Sequence, residues 1–311
     1  MNEFIQISNS IGLNAYNLIV ITLFTSPIIF FYKNNIIKKI ISILLIAFIS
    51  LTLFIYGNIQ INTNKIQLEK INEKIFVKVV SPNFDLKFGL NQKEIEQRFK
   101  RIIRYSDPDK NKKTLFIWPE GIFSGYSYNE ILIFKKLISS NFSKNHQIIL
   151  EVNKLDPKSG KYYNSMLAVN NDFEIIQSYN KRKLVPFGEF LPFESILNKF
   201  GLKKITEGHG SFLKGEKNNN LLINELNILP LICYEVIFTE FIQKSNDRTN
   251  LIINISEDGW FGRTIGPDQH FAKSIFRAVE NDTFMLRSAK KGISAIIDNK
   301  GKVIKQLNRN E

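Results

Sequence analysis

Two long apolar stretches occupy the N-terminal part of the chain. Residues 13–32 and 40–56 are almost purely apolar, and a helix of about 20 residues crosses the hydrocarbon core of a bilayer. Neither stretch shows the polar face that a buried soluble helix of this length usually carries. We therefore predict two transmembrane helices, within residues 1–35 and 36–57, followed by a polar juxtamembrane linker over 58–74.

The connector between the two stretches is basic, with Lys33, Lys38 and Lys39. Positively charged connectors stay on the cytoplasmic side, so the second helix delivers the rest of the chain to the outside, the periplasm of a Gram-negative cell. A cleaved signal peptide is the alternative for the first stretch, but residues 1–10 lack a basic region and no small-x-small site follows. We expect a multi-pass protein of the inner membrane with a periplasmic C-terminal domain.

From residue 75 onward, short apolar runs alternate with amphipathic stretches. Helical spacing predicts a helix over 93–105, and two runs separated by Asn-Asn-Asp predict a hairpin of strands 163–169 and 173–181. Further strands are predicted at 75–80, 114–118, 147–152, 221–226, 228–233, 250–255, 284–289 and 294–298, and further helices at 130–139, 239–244 and 268–281. This alternation indicates a layered α/β domain over 75–311, and the hairpin argues against a purely parallel sheet.

Composition excludes several kinds of site. A single cysteine rules out an intramolecular disulfide and is too few for a thiolate zinc site, and the three scattered histidines lack metal-ligand spacing. The formal net charge of +13 suits an anionic partner, either nucleic acid or lipid headgroups. No nucleic-acid motif occurs, and the apolar stretches favour the membrane. We expect no metal, no cofactor and no nucleic-acid partner.

Three predicted strands each lead to a side chain that can take part in catalysis. Glu120 follows strand 114–118, Lys181 ends the hairpin, and Cys233 ends strand 228–233 at a sharp turn. Taken singly, these could be a helix-start glutamate, a solvated basic residue and a small buried thiol. Together at one edge they suit acyl transfer, in which the carboxylate takes the thiol proton and the ammonium stabilises the oxyanion. A nearby cation should also lower the pKa of the thiol.

The order Glu120, Lys181, Cys233 resembles the Glu-Lys-Cys triad of the carbon–nitrogen hydrolase (nitrilase) superfamily. Longer strings are similar to the apolipoprotein N-acyltransferases within it, and the likeness covers residues 5–304. These strings are Lys181–Glu189 (KRKLVPFGE), Ile232–Glu235 (ICYE), Asp258–Gly262 (DGWFG), Gly266–His270 (GPDQH) and Arg277–Glu280 (RAVE). The resemblance implies a nitrilase-like α-β-β-α sandwich preceded by transmembrane helices.

The resemblance also implies a two-step reaction. Cys233 would take an acyl chain from the first position of a membrane phospholipid. It would then pass the chain to the α-amino group of the diacylglyceryl-cysteine at the N-terminus of an apolipoprotein. Glu120 matches the general base, Lys181 the oxyanion stabiliser, and Glu189 a second glutamate that supports Lys181 and the acid and base steps.

Other matched positions surround this triad. Tyr234 and Glu235 match residues beside the nucleophile, and the Tyr234 N–H is the implied second oxyanion donor. Trp260 and Phe261 fit either a pocket wall or lid or simple core packing. Phe88 stands at a position that is usually Trp in the family, and it is assigned to the pocket.

The chain also departs from the family's pattern. Glu257 and Lys290 stand where asparagine is common, and we expect them to alter the polarity of the pocket without touching the triad. His270 and Arg277 are expected to be structural. The family carries more transmembrane helices before the domain and one after it, which suggests a fragment or a reduced or split protein. Two other hypotheses are a membrane-tethered amidase with the same triad, and an inactive homologue that acts as a binding subunit.

Overall fold

Helices at the N-terminus precede the α/β domain in the computed structural model, which describes residues 2–31, 35–64, 75–87, 89–194, 210–216, 220–241 and 249–309. These helices are α1 (Asn2–Ile5), α2 (Ser8–Thr25, continued by a 3-10 helix over Ser26–Phe31) and α3 (Ile36–Asn62). Two helical segments, 8–31 and 36–62, are long and apolar enough to cross a membrane, with mean hydropathies of 1.6 and 2.5. Helix α3 continues to Asn62, past the predicted end at residue 57.

Helix α2 is interrupted at Gly12, whose φ of 79° and ψ of 160° are not helical. The N–H of Leu13, which this break frees, donates to Glu280 Oε1 at 2.6 Å. The side chain of Asn9 donates to the carbonyl of Val279 at 3.0 Å. The apolar segment therefore restarts at Leu13, where the hydropathy pattern placed its beginning, and it is anchored there to the α/β domain.

The strands of the described residues form two sheets. They are β1 (Phe76–Val79), β2 (Thr114–Ile117), β3 (His146–Leu155), β4 (Tyr162–Val169), β5 (Ile175–Asn180), β6 (Leu221–Ile223), β7 (Leu226–Ile232), β8 (Leu251–Glu257), β9 (Phe284–Lys290), β10 (Ser294–Ile297) and β11 (Val303–Leu307). The first sheet has the order β1-β2-β3-β4-β5 and the second β11-β10-β9-β8-β7-β6. Parallel pairs β1-β2-β3 and β7-β8-β9 are flanked by antiparallel strands, so each sheet is mixed, as the hairpin predicted.

Four layers follow from the alternation of side chains along the strands. Phe116 of β2 packs outward with the helical layer, while its neighbour Leu115 packs between the sheets with Ile253 of β8. On the other face of β8, Ile252 packs with Ala278 of the last helix. The helices of these outer layers are α4 (Gln92–Ser106), α5 (Tyr128–Ile131), α6 (Lys135–Asn141) and α7 (Gly266–Glu280). The predicted α-β-β-α sandwich is confirmed.

Some predicted elements differ from the structure. The strand over 221–226 is wrong at its end, because Asn224 and Glu225 have φ of 47° and 67° and form the two-residue turn between β6 and β7. The helix predicted at 239–244 is a 3-10 helix over Thr239–Phe241, and residues 242–248 lie outside the described residues. Phe88, assigned to the pocket, also lies outside them.

Candidate active site

The structure brings Glu120, Lys181 and Cys233 together at one edge of the sandwich. Glu120 and Lys181 follow β2 and β5 of the first sheet, and Cys233 follows β7 of the second. The ammonium Nζ of Lys181 lies 3.8 Å from Glu120 Oε1, and the Cys233 thiol is close enough to the Glu120 carboxyl to influence its pKa. All three are buried, so their interactions take place where water screens charge poorly.

Cys233 lies on a strained turn at the end of β7. Its φ is 50°, a left-handed value that is unfavourable for a residue with a Cβ, and it is the first residue of a 3-10 helix over Cys233–Ile237. The carbonyl of Cys233 accepts hydrogen bonds from Asn254 Nδ2 at 3.4 Å and from His270 Nε2 at 3.1 Å. Strain of this kind persists where surrounding contacts impose it, and it presents the thiol above the sheet edge.

The thiol is neutral at rest. Burial raises the pKa of Cys233 well above its usual value, the Glu120 carboxylate raises it further, and Lys181 lowers it. The expected effect of the cation is therefore present, but desolvation outweighs one ammonium, and the net shift of the thiol pKa is upward. An attack by this sulfur needs a base that removes the proton during the reaction, and Glu120 is close enough for the thiol and the carboxyl to shift each other's pKa.

Lys181 is held as a permanent cation. Its Nζ donates to Glu189 Oε1 at 2.8 Å, and Glu189 Oε2 accepts from the N–H of Val185 at 2.9 Å. Burial alone would lower the pKa of Lys181, but the carboxylates of Glu189 and Glu120 outweigh burial and raise it. A buried ammonium that stays charged beside the thiol can stabilise an oxyanion without changing its own protonation.

Asn164, in the middle of β4, is a site residue that the sequence analysis missed. Its Nδ2 donates to Glu120 Oε1 at 3.0 Å and to Glu189 Oε1 at 2.8 Å. The amide thus fixes the two carboxylates on either side of Lys181. The signal was present in the sequence, because an asparagine within an otherwise apolar strand needs a buried hydrogen-bond partner.

Glu235 joins the lysine loop to the cysteine turn. Its Oε1 accepts from the hydroxyl of Tyr179 at 2.9 Å and from the N–H groups of Arg182 at 2.6 Å and Lys183 at 3.0 Å. Its Oε2 accepts from the N–H of Ile232 at 2.9 Å. Burial raises the pKa of Glu235 to about 6, although the backbone N–H groups oppose that shift. The residue predicted to stand beside the nucleophile therefore fixes where Lys181 and Cys233 lie relative to each other.

Glu120 is held from its other side by the second sheet. Its Oε2 accepts from the backbone N–H of Glu257 at 3.0 Å, and the side chain of Glu257 pairs with Lys290. The expectation that these two positions leave the triad untouched is thus wrong for Glu257. Burial raises the pKa of Glu120, while Lys181 opposes the shift. A carboxylate with a raised pKa is a stronger base for the thiol proton.

A cavity of about 420 Å³ opens onto the triad. The ring of Tyr234 lies 6.2 Å from that of Phe261 and 5.5 Å from that of His270. Trp260 is 44% exposed, so it forms part of the rim and not of the core. The apolar residues of the lining are Leu86, Val185, Pro186, Phe212, Trp260 and Phe261. Polar residues, among them Glu120, Lys181 and Cys233, complete the lining. A cavity lined by both kinds of residue suits a ligand with a hydrocarbon part and a polar reacting centre.

The carbon-nitrogen hydrolase family profile matches residues 88–311, which is most of the chain. The chain belongs to the carbon–nitrogen hydrolase family. Two solved structures share the fold of this carbon–nitrogen hydrolase: XC1258 from Xanthomonas campestris, with a TM-score of 0.54 and 16% identity, and Nit3 from Saccharomyces cerevisiae, with 0.53 and 19%. Each match covers 76% of this chain and 86% of the other.

Relatives in sequence carry a more specific name. This carbon–nitrogen hydrolase is 30% identical to the apolipoprotein N-acyltransferase of Rhodopseudomonas palustris, over 96% of this chain and 57% of that protein. It is 34% identical to the apolipoprotein N-acyltransferase of Rickettsia bellii, over 99% of this chain and 60% of that protein. The chain therefore spans less than two thirds of the length of these relatives.

Proposed function

We propose that this chain transfers a fatty acyl group from a membrane phospholipid, through a thioester on Cys233, to the N-terminal amine of an apolipoprotein. The observation that carries the proposal is the meeting of Glu120, Lys181 and Cys233 at the end of one apolar cavity. Similarity to apolipoprotein N-acyltransferases over nearly the whole chain supports the choice of substrates.

In the first step, Glu120 takes the S–H proton while Sγ of Cys233 attacks the carbonyl carbon of the phospholipid ester. The oxyanion that forms faces the ammonium of Lys181, and the backbone N–H of Tyr234 is the proposed second donor. Collapse of this intermediate breaks the C–O bond of the ester. The leaving lysophospholipid oxygen takes the proton back from Glu120, and the acyl group remains on sulfur.

In the second step, the neutral α-amine of the acceptor attacks the thioester carbonyl. The same oxyanion site serves again, the C–S bond breaks, and Glu120 passes the amine proton to the leaving thiolate. Water would compete with the amine at this stage. The apolar rim at Trp260 and Phe261 supports the idea that a bound acyl chain keeps the thioester dry.

The two apolar helical segments fit an inner-membrane location, and the basic connector supports a periplasmic position for the α/β domain. The acyl donor would then lie in the same membrane as the enzyme. The anchor of α2 on Glu280 sets the height of the α/β domain above that membrane.

The test uses the full chain in phospholipid vesicles whose first acyl position carries a radiolabel, with a diacylglyceryl peptide as acceptor. We expect hydroxylamine-sensitive label on the protein before the peptide is added, and labelled peptide afterwards. Cys233→Ala should abolish both, because no other described residue supplies a thiol. Transfer by that variant would overturn the proposal.

Other outcomes separate the rival hypotheses. Release of labelled fatty acid without peptide labelling, or release of ammonia from small amides, would favour a hydrolase that uses the same triad. A folded chain that binds the peptide and never acquires label would favour a binding subunit. Complementation of a strain that depends on its own apolipoprotein N-acyltransferase then tests whether this chain works in a cell.

A further inference from the structure

The peptide group after Glu120 lies against an unusual group of buried charges. Gly121 has a φ of 76°, and a Cβ placed on it would lie 2.6 Å from Glu257 Oε2 and 3.1 Å from Lys290 Nζ. Only glycine allows so close an approach. The backbone of the residue next to Glu120 thus rests directly on the Glu257–Lys290 ion pair.

Charged side chains hold both polar atoms of Gly121. Its N–H donates to Glu151 Oε2 at 3.0 Å, and its carbonyl accepts from Lys290 Nζ at 2.7 Å. Arg98 extends this support by donating to the carbonyl of Ile122 at 2.8 Å. These three hydrogen bonds come from β3, β9 and α4, so the position of this backbone is closely defined.

Glu257 contacts both Glu120 and Lys290. Its backbone N–H donates to Glu120 Oε2 at 3.0 Å, and its side chain pairs with Lys290, which holds Gly121. Glu257 and Lys290 are register partners at the ends of the parallel strands β8 and β9. Their backbones are therefore fixed by the second sheet, whereas Glu120 belongs to the loop after β2 in the first.

We propose that Glu257 and Lys290 are a positioning pair that sets where the carboxylate of Glu120 lies relative to Cys233. This inference rests on the proposed function only in taking Glu120 as the base for the thiol. The pair touches no reacting atom. It acts by tying the loop of the base, which comes from one sheet, to strand ends of the sheet that carries the nucleophile.

The pair must act as a unit, because both side chains are almost fully buried. Removing one partner leaves the other as an uncompensated charge against Gly121 and Glu120. Replacing both by glutamine keeps a donor towards the Gly121 carbonyl and an acceptor beside it, without a net charge. A merely structural pair would change stability alone, whereas a positioning pair also changes the chemical step.

The experiment measures single-turnover acylation of Cys233 by a small activated ester, with the full chain in detergent micelles. Lys290→Met and Glu257→Gln should each slow acylation by roughly tenfold to a hundredfold, since a misplaced catalytic group costs about that much. The half-saturating ester concentration should change by less than about twofold, because the pair acts on the chemical step and not on uniform binding. The double variant Glu257→Gln/Lys290→Gln should return to within about threefold of wild type, so the single effects are strongly non-additive.

Control variants separate a slower acylation from a loss of stability. Arg277→Met removes half of another buried ion pair, with Glu280 on α7, and should lower the melting temperature without slowing acylation. Where Lys290→Met does not fold, Lys290→Gln takes its place because it keeps a donor. Unchanged acylation in folded single variants, or losses that simply multiply in the double variant, would overturn the inference. A wild-type chain that is never acylated would instead overturn the proposed function.

Discussion

Two buried polar networks flank the triad, and they differ in how their charge responds to pH. The nucleophile-side network supports the Cys233 turn and consists of Asn254, Ser256, Asp258, His270 and Arg287. The base-side network supports Glu120 and consists of Arg98, Glu151, Glu257 and Lys290. Both are almost fully inaccessible to water, so each depends on internal pairing.

The nucleophile-side network is built around the carboxylate of Asp258. Arg287 Nη2 donates to Asp258 Oδ2 at 2.7 Å, and Ser256 Oγ donates to Asp258 Oδ1 at 2.7 Å. Burial alone would raise the pKa of Asp258, but Arg287 and the hydrogen bonds to the carboxylate lower it far below its usual range. Burial and Arg287 lower the pKa of His270. His270 Nε2 donates to the carbonyl of Cys233 at 3.1 Å, and its Nδ1 lies 2.9 Å from Asp258 Oδ1 and 3.1 Å from Arg287 Nη2.

The base-side network titrates near neutrality. Burial and the carboxylate of Glu120 raise the pKa of Glu151 to about 7. Burial and Arg98 lower the pKa of Lys290 to about 7, although nearby carboxylates oppose that shift. The strained Cys233 turn is thus supported by a carboxylate that stays ionised, whereas Glu120, the proposed base, lies beside Glu151 and Lys290, whose pKa values are shifted to about 7. We therefore expect the pH dependence of the chain to originate on the base side.

The largest expected effect is a loss of stability when the nucleophile-side network is disrupted. Arg287→Met should lower the free energy of unfolding by about 3 to 5 kcal/mol, because it leaves the Asp258 carboxylate buried without its charge partner. Chemical unfolding in detergent micelles measures the loss. The control is Arg287→Met/Asp258→Asn, which removes the stranded charge and should recover most of the stability. A single variant as stable as wild type would mean that Asp258 does not depend on Arg287.

The next largest effect is expected when the ammonium of Lys181, which lies between the two networks, is removed. Lys181→Met should slow acylation of Cys233 by about 10²-fold to 10³-fold, the usual cost of losing an oxyanion donor. Glu120 and Glu189 would then lie close together without the ammonium, so one of them would hold a proton.

Lys183→Met is the matched control for this change. The side chain of Lys183 pairs with Glu240 near the surface at 3.0 Å, and its bond to Glu235 uses the backbone. Acylation at the wild-type rate is expected for it. Equal losses in Lys181→Met and Lys183→Met would show that loop charge, and not the position of Lys181, matters.

The sequence predicts well what depends on neighbours along the chain. Alternating or continuous apolar runs predicted the strands, and Glu120, Lys181 and Cys233 could be chosen because each lies at or just after the C-terminal end of a predicted strand. The turn at Asn224 was missed because Glu225 is not a residue that normally adopts positive φ.

Contacts between residues far apart along the chain could not be predicted from the sequence in the same way. The contact of Lys290 with Gly121 joins positions 169 residues apart, and that of Glu257 with Glu120 joins positions 137 apart. Both cross from one sheet to the other. The polar residues Asn164 and Glu151 interrupt apolar strands, which marks them as buried and partnered, but only the stacking of the sheets shows which partner each one has.

The smallest expected effect is the pH dependence of stability that Glu151, in the base-side network, contributes. A buried acid with a raised pKa stabilises the fold fully below its unfolded pKa, and that contribution is lost as the pH rises through the folded value. For Glu151 the window runs from 4.5 to about 7, and the loss is at most about 3.5 kcal/mol at roughly 1.4 kcal/mol per pKa unit. Glu151→Gln should therefore be more stable than wild type at neutral pH and equal to it below the window. Melting temperatures of wild type and Glu151→Gln, measured across this pH range, test the prediction. Parallel curves for the two proteins would mean that the proton is bound elsewhere than on Glu151.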